Sequence, residues 1–301
     1  MTTSQPRILC LGHAAHDLVY RVATIPGEPI KVVASDFYEC GGGMAANAAV
    51  TVARLGGRAV YWGRVADDAL GARILGELAA EGVDVSAARR VPNCRSPLTS
   101  ILVTDAGERL ICSYTDANID ADPAWLPLDA LLSFAVVMAD VRWPQGAARV
   151  LDTARSLGIP ALVDADVAKP EILGDLAGRA THVLFSAPGL SALEPGHAPG
   201  SALRRVRRDS HVMVGVTLGE DGFLWLQDGA EHRVAAPAVT ALDTLAAGDV
   251  WHGAFALALA EKQPTYEAVG FANAAAAIKC SRRGGRLGCP SRVEVDAALQ
   301  R

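Results

Sequence analysis

Short apolar runs of strand length alternate with helix-patterned segments along most of this chain, and that alternation limits the possible folds more than any other feature. Strand candidates lie at residues 7–11, 59–65, 136–141, 161–164, 182–186 and 211–218. Helical patterns fall between them at 43–55, 70–81, 146–157 and 171–177. The strand runs are nearly all apolar and do not alternate apolar with polar. Such a strand must be covered on both faces, the situation of a parallel sheet with helices on either side. The expectation is α/β: a doubly wound, mostly parallel sheet flanked by helices. With 301 residues, 50% of them hydrophobic, the chain can bury roughly three quarters of its unfolded surface without a disulfide or metal staple.

Two stretches break the pattern. Residues 96–103 and 109–114 flank Asp105-Ala106-Gly107-Glu108 and read as a hairpin. Residues 20–22 and 32–38 read as a second strand pair. The expected division is a core of residues 1–13, 41–95 and 117–301 with a discontinuous small β-sheet from 14–40 and 96–116. A sheet that small cannot bury both faces alone, so it should cover a ligand or pair with another subunit. Later in the chain, strands at 223–226 and 231–234 flank Gln227-Asp228-Gly229-Ala230, and two small-residue-rich helices follow at 249–261 and 266–279. Residues 192–201 read as a Pro/Gly-rich loop.

Charge and cysteines narrow the function classes. Net charge is −5 and the only basic run is 204–208, which argues against a nucleic-acid surface. No apolar run approaches the roughly 20 residues of a membrane helix. No signal peptide is visible, so the expectation is a cytoplasmic protein. The cysteines at 10, 40, 94, 112, 280 and 289 form no C-x-x-C pair and read as reduced thiols. His13 and His16 have spacing open to a metal pair but read as satisfied turn histidines, and Trp62, Trp143 and Trp225 as packing residues.

Two segments can carry chemistry. Asp243-Thr244-Leu245-Ala246-Ala247-Gly248-Asp249 leads into a helix. The unpaired N–H groups and positive dipole end of that helix make an anion site, and small side chains let a phosphate approach the backbone. Asp249 in the first turn could accept a proton from an attacking hydroxyl, with the dipole keeping it ionised and weakly basic. Alone, it could equally be a carboxylate that complements a helix start. The second segment is Gly41-Gly42-Gly43-Met44-Ala45-Ala46-Asn47. Asn47 lies one turn into a helix, where it could bond a polyol. The spacing also fits G-x-G-x-x-A, but that dinucleotide fingerprint belongs after the first core strand, and here Gly12-His13-Ala14-Ala15-His16-Asp17 stands there. A tight turn alone would explain the glycines.

In this order the two segments resemble the signatures of the PfkB (ribokinase-like) family of carbohydrate kinases. The resemblance implies an ATP-dependent kinase that moves the γ-phosphoryl group to a primary hydroxyl of a ketohexose-type sugar, with Mg²⁺ and a monovalent cation such as K⁺. It implies that Asp249 is the base and that Ala246, Ala247 and Gly248 form the anion hole. Asp17, Gly42, Gly43 and Asn47 match sugar-hydroxyl positions. Thr217, Gly219 and Gly222 match the nucleotide turn, and Asn273 the helix beside the adenine. Asp243 and the 283–288 loop match the monovalent-cation region. The family fold carries a β lid, through which a homodimer is expected. The sequence departs from the pattern at Ala246, tolerable at negative φ, and at Gly288. It also departs at Ser186-Ala187-Pro188-Gly189, which replaces a magnesium-associated Asn-x-x-Glu. The wording around Ala139–Trp143, 185–189 and 279–286 resembles bacterial sulfofructose kinases and, more distantly, ketohexokinases. In that reading Arg142, at a strand end, grips a sulfonate or phosphate with help from Lys31 on the lid. Pairing of Arg142 with a nearby acid is the other reading. A kinase for ribose or a nucleoside, or a catalytically silent sugar-binding regulator, are the rival functions.

Overall fold

The structure, a computed structural model, describes residues 5–207, 209 and 211–300. Arg208 of the basic run and the first four residues lie outside the described residues. In chain order the strands are β1 (Arg7–Gly12), β2 (Ala15–Arg21), β3 (Asp36–Gly42), β4 (Arg58–Ala66), β5 (Arg89–Val91), β6 (Leu98–Val103), β7 (Arg109–Tyr114), β8 (Val136–Asp140), β9 (Ala161–Ala165), β10 (His182–Ser186), β11 (Met213–Thr217), β12 (Phe223–Gln227) and β13 (Ala230–Val234). The helices are α1 (Met44–Arg54), α2 (Ala69–Ala80), α3 (Pro144–Ser156), α4 (Pro170–Ala177), α5 (Ala187–Leu193), α6 (Pro199–Val206), α7 (Ala247–Ala260), α8 (Thr265–Cys280) and α9 (Arg292–Leu299).

The large sheet runs β13-β12-β11-β10-β9-β8-β1-β4-β5, parallel from β11 to β5, with β12 and β13 antiparallel at one edge. Its strands are apolar throughout because each face has its own core. Ile8, Cys10, Met138, Leu162 and Leu184 pack with α1, α7 and α8 on one side. Leu9, Leu11, Val137, Val163 and Phe185 pack with α3, α4 and α6 on the other. Burying apolar area at about 25 cal/mol per Å² makes these two interfaces the main source of stability. Helix α7 is buried nearly all round, between α1, α8 and the sheet. No described helix is long and apolar enough to cross a membrane.

The small sheet has the order β3-β2-β6-β7. Val19, Cys40 and Ile101 form its buried face, with Tyr38, Val103 and Leu245 packed against them. Phe37, Leu110, Ile111 and Tyr114 remain about half exposed. The structure corrects three expectations here. β2 begins at Ala15, ahead of the expected 20–22, because it contains the buried polar residues His16 and Asp17, which hide it in the sequence. β3 continues through Gly41 and Gly42, so those glycines end a strand and only Gly43 stands at the helix start. The 192–201 loop instead holds the end of α5 and the start of α6, both with proline in the first turn.

Candidate active site

The C-terminal ends of β1, β8, β9 and β10 meet the N-termini of α1 and α7, where ligands sit in open parallel sheets. Asp140 ties this edge together. It is fully buried, and its carboxylate accepts the N–H groups of His13 (2.7 Å), Ala45 (3.1 Å) and Arg142 (2.8 Å). Gly43 takes φ +92°, and a Cβ there would lie 2.5 Å from the His13 carbonyl. His16, in β2, has Nε2 3.2 Å from Glu39 while its buried Nδ1 has no partner, and the main-chain N–H of His13 goes to Asp140.

Helix α7 starts at Ala246, which has φ 65° and ψ 9°. The expectation of a negative φ is therefore wrong. Alanine adopts the left-handed conformation here, at a cost of roughly 1–2 kcal/mol, because the turn from Asp243 must reverse into the helix. No side chain caps α7; the Ala247 N–H turns back to the Thr244 carbonyl at 3.2 Å, and the helix end keeps its positive dipole. Asp249 in that turn accepts a hydrogen bond from Asn47 Nδ2 at 2.7 Å. Asn47 is buried on α1, and its Oδ1 has no partner. The expected low basicity of Asp249 is also overturned. Burial, then the neighbouring charge of Asp164, pushes its pKa up to about 7, against the pull of Asn47 and His252. The residue as a whole is half-buried.

Asp17 is buried on β2, and burial raises its pKa to about 6, against the pull of Thr99 and Arg286. A Cβ at Gly42 would sit 2.2 Å from its Oδ2, so the close approach needs glycine. Arg286, missed in the sequence, is a buried guanidinium with Nη1 unpaired. A Cβ at Gly41 would collide with it. Asp164 and His252 were missed as well. Asp164 is buried at the end of β9, its Oδ2 has no hydrogen-bond partner, and burial pushes its pKa well up. His252 Nδ1 lies 2.7 Å from the Gly248 carbonyl and 3.5 Å from Asp164 Oδ2. The signal for Asp164 was a polar residue closing an apolar strand.

A cavity of about 570 Å³ opens beside the α7 N-terminus. Thr217, Gly219, Gly222, Ala247, Gly248 and Asn273 line it, with Trp251 and Thr244. Asn273 is engaged: Oδ1 accepts from Trp251 Nε1 (2.7 Å), and Nδ2 donates to the carbonyls of Val234 (3.0 Å) and Ala235 (3.2 Å). It holds the wall and leaves its amide no spare group for a base edge.

Arg142 follows the second of its two readings. Its guanidinium donates to the Val167 carbonyl (3.0 Å) and pairs with Asp166 (3.3 Å), with 43% of the side chain exposed. Lys31 is exposed in the loop between β2 and β3 of the small sheet. Asp243 does not fit a monovalent cation. Its carboxylate already accepts the N–H groups of Leu245 (2.8 Å), Gly284 (3.0 Å) and Gly285 (2.9 Å). The fully buried Lys279 ammonium donates to its main-chain carbonyl at 2.6 Å and sits 3.3 Å from Oδ2. A second cation would face that ammonium in a desolvated space. A divalent ion does fit elsewhere. Asp164 offers an unpartnered carboxylate oxygen, and Ser186 Oγ holds neighbouring Asp166 at 2.7 Å. Among the described residues no three His, Cys, Asp or Glu side chains converge as a complete metal site, so such an ion needs phosphate oxygens as well.

A family model described as pfkB family carbohydrate kinase matches residues 5–292. A ribokinase of Schizosaccharomyces pombe is 30% identical, over 97% of this chain and 97% of its own. Fructokinase-1 of Oryza sativa subsp. japonica is 26% identical, over 92% of this chain and 94% of its own. A crystal structure of a provisionally assigned ribokinase from Agrobacterium tumefaciens has a TM-score of 0.94 at 39% identity, over 99% of this chain and 98% of its own.

Proposed function

This chain belongs to the pfkB family of carbohydrate kinases, and from that membership we propose that it moves the γ-phosphoryl group of ATP to a primary hydroxyl of a furanose sugar of ketohexose type. The observation that carries the reading is the Asn47–Asp249 contact at the uncapped start of α7. It places a carboxylate of near-neutral pKa beside an anion-binding helix end, with the Asn47 carbonyl oxygen free for a sugar hydroxyl.

The nucleotide fits the cavity against Gly219, Gly222 and the Asn273–Trp251 wall. Asp17 and Asn47 orient the sugar. Asp249 takes the proton of the acceptor hydroxyl, and the backbone N–H groups of Ala246, Ala247 and Gly248 meet the charge on the transferred group. Asp164 and Asp166 are the residues that would hold Mg²⁺, which would supply positive charge beside the phosphates. The small sheet acts as a lid that excludes water, so that phosphate passes to the sugar rather than to solvent. Its other face, with Phe37, Leu110 and Tyr114, pairs with a second copy. Six free thiols suit a reducing cytoplasm.

Ribose is the second reading, favoured by relatives named ribokinase at higher identity than the fructokinase. An ADP-release assay on fructose, 6-deoxy-6-sulfofructose, fructose phosphates, ribose and a nucleoside separates these. The ketohexose reading requires the highest kcat/KM on a fructose-type sugar. A higher value on ribose replaces it. A sulfonate clamp further requires that Arg142→Ala raise KM for sulfofructose but not for fructose, since Arg142 must exchange Asp166 for the ligand.

A further inference from the structure

Residue 243 is where four parts of the molecule meet. The Cys280 carbonyl at the end of α8 accepts the N–H groups of Leu242 (2.8 Å) and Asp243 (3.1 Å). The Asp243 carboxylate receives Gly284 and Gly285 of the next turn and Leu245 of its own, and the Tyr38 hydroxyl of the small sheet lies 3.5 Å away. Lys279 enters this junction from the last turn of α8, where the helix dipole favours a cation. Its side chain is 0% exposed, and its Nζ reaches both the carbonyl and the carboxylate of Asp243. A lysine is almost never fully buried without a partner of this kind. Its placement also decides what else can lie there, because a second desolvated cation beside it would be repelled.

We propose that Lys279 is a built-in monovalent cation: its ammonium fills the place between Asp243 and the 283–288 loop, so that the turn leading to the α7 N-terminus is set without K⁺. Lys279 touches no substrate. It is a positioning residue that acts through Asp243, three residues before the strained Ala246, and its activity readout rests on the sugar-kinase reading. A small displacement of that turn would move the anion hole relative to Asp249, and errors of that kind cost rate more than affinity.

The test uses the full chain with Mg²⁺ and ATP, comparing KCl with tetramethylammonium chloride at equal ionic strength. The wild type is expected to keep its kcat within about twofold in the two salts, whereas Lys279→Ala in tetramethylammonium should lose about tenfold or more with little change in sugar KM. K⁺ should then restore the Ala variant saturably and raise its melting temperature over the same concentration range. Lys279→Met, which fills the space without charge, should lose kcat and gain nothing from K⁺. Saturable activation of the wild type by K⁺, or full activity of Lys279→Ala without it, overturns the proposal. If Lys279→Ala does not fold, the wild-type salt comparison decides alone. If no sugar is phosphorylated in either salt, the kinase reading fails, and K⁺-dependent melting of Lys279→Ala against K⁺-independent melting of the wild type still decides the role of Lys279.

Discussion

Asp249 sits at the start of a helix, and desolvation together with the Asp164 charge pushes its pKa up to about 7. A base must be ionised to work, so kcat/KM should climb as pH rises toward about 7 and level above it. Asn47→Leu removes the amide that pulls this pKa down and should move the acid limb to higher pH, as a pH–rate profile would show. Asp249→Asn should lower kcat by roughly 10²–10⁴ while nucleotide still binds. The same variant reports on stability. A carboxylate whose folded pKa lies above its unfolded value stabilises below the unfolded pKa, and that contribution is lost as pH rises through about 7. Asp249→Asn should therefore melt above the wild type at pH 8 and near it at pH 5. Ala246→Gly relieves a left-handed alanine, and after glycine's own entropy the net gain of about 0.5–1 kcal/mol should raise the melting temperature by about 1–3 °C in calorimetry.

Elements with two apolar faces were legible, and those with mixed faces were not. β10 at 182–186 lies where the pattern placed it, and the exposed β7 at 109–114 was legible only through the turn at Asp105–Glu108. β2 was cut short because a strand that carries the site must bury His16 and Asp17. β5, α5, α6 and α9 are too short for periodicity to speak. For the site, Asn47 and Asp249 were legible as motif residues, and their contact across two helices was not, since nothing local encodes it. Lys279 and His252 each stand as a polar letter in a mostly apolar helix, which reads as a packing exception until the partner is seen. The pairing of α7 with α8 depends on one such letter. Asn273→Leu strands the Trp251 N–H and two carbonyls, at a cost of about 1–3 kcal/mol. It should lower the melting temperature and weaken nucleotide binding more than sugar binding in titration calorimetry.

At the scale of the molecule, the small sheet has one face over Leu245 and the other bare. If that bare face meets its own copy, Leu110→Glu combined with Phe37→Glu should convert a dimer to a monomer by light scattering, with the large sheet intact by circular dichroism. Sugar KM should rise in the same variant, since the sheet also closes the site. The reacting carboxylate, by contrast, stands on α7, a helix hemmed in by two others and by the large sheet. Surface agitation has no route to it. The molecule thus owns a fixed benchmark from which both reactants are surveyed, and divergence toward a new sugar has to be written in the rim around that benchmark rather than in the helix that bears it.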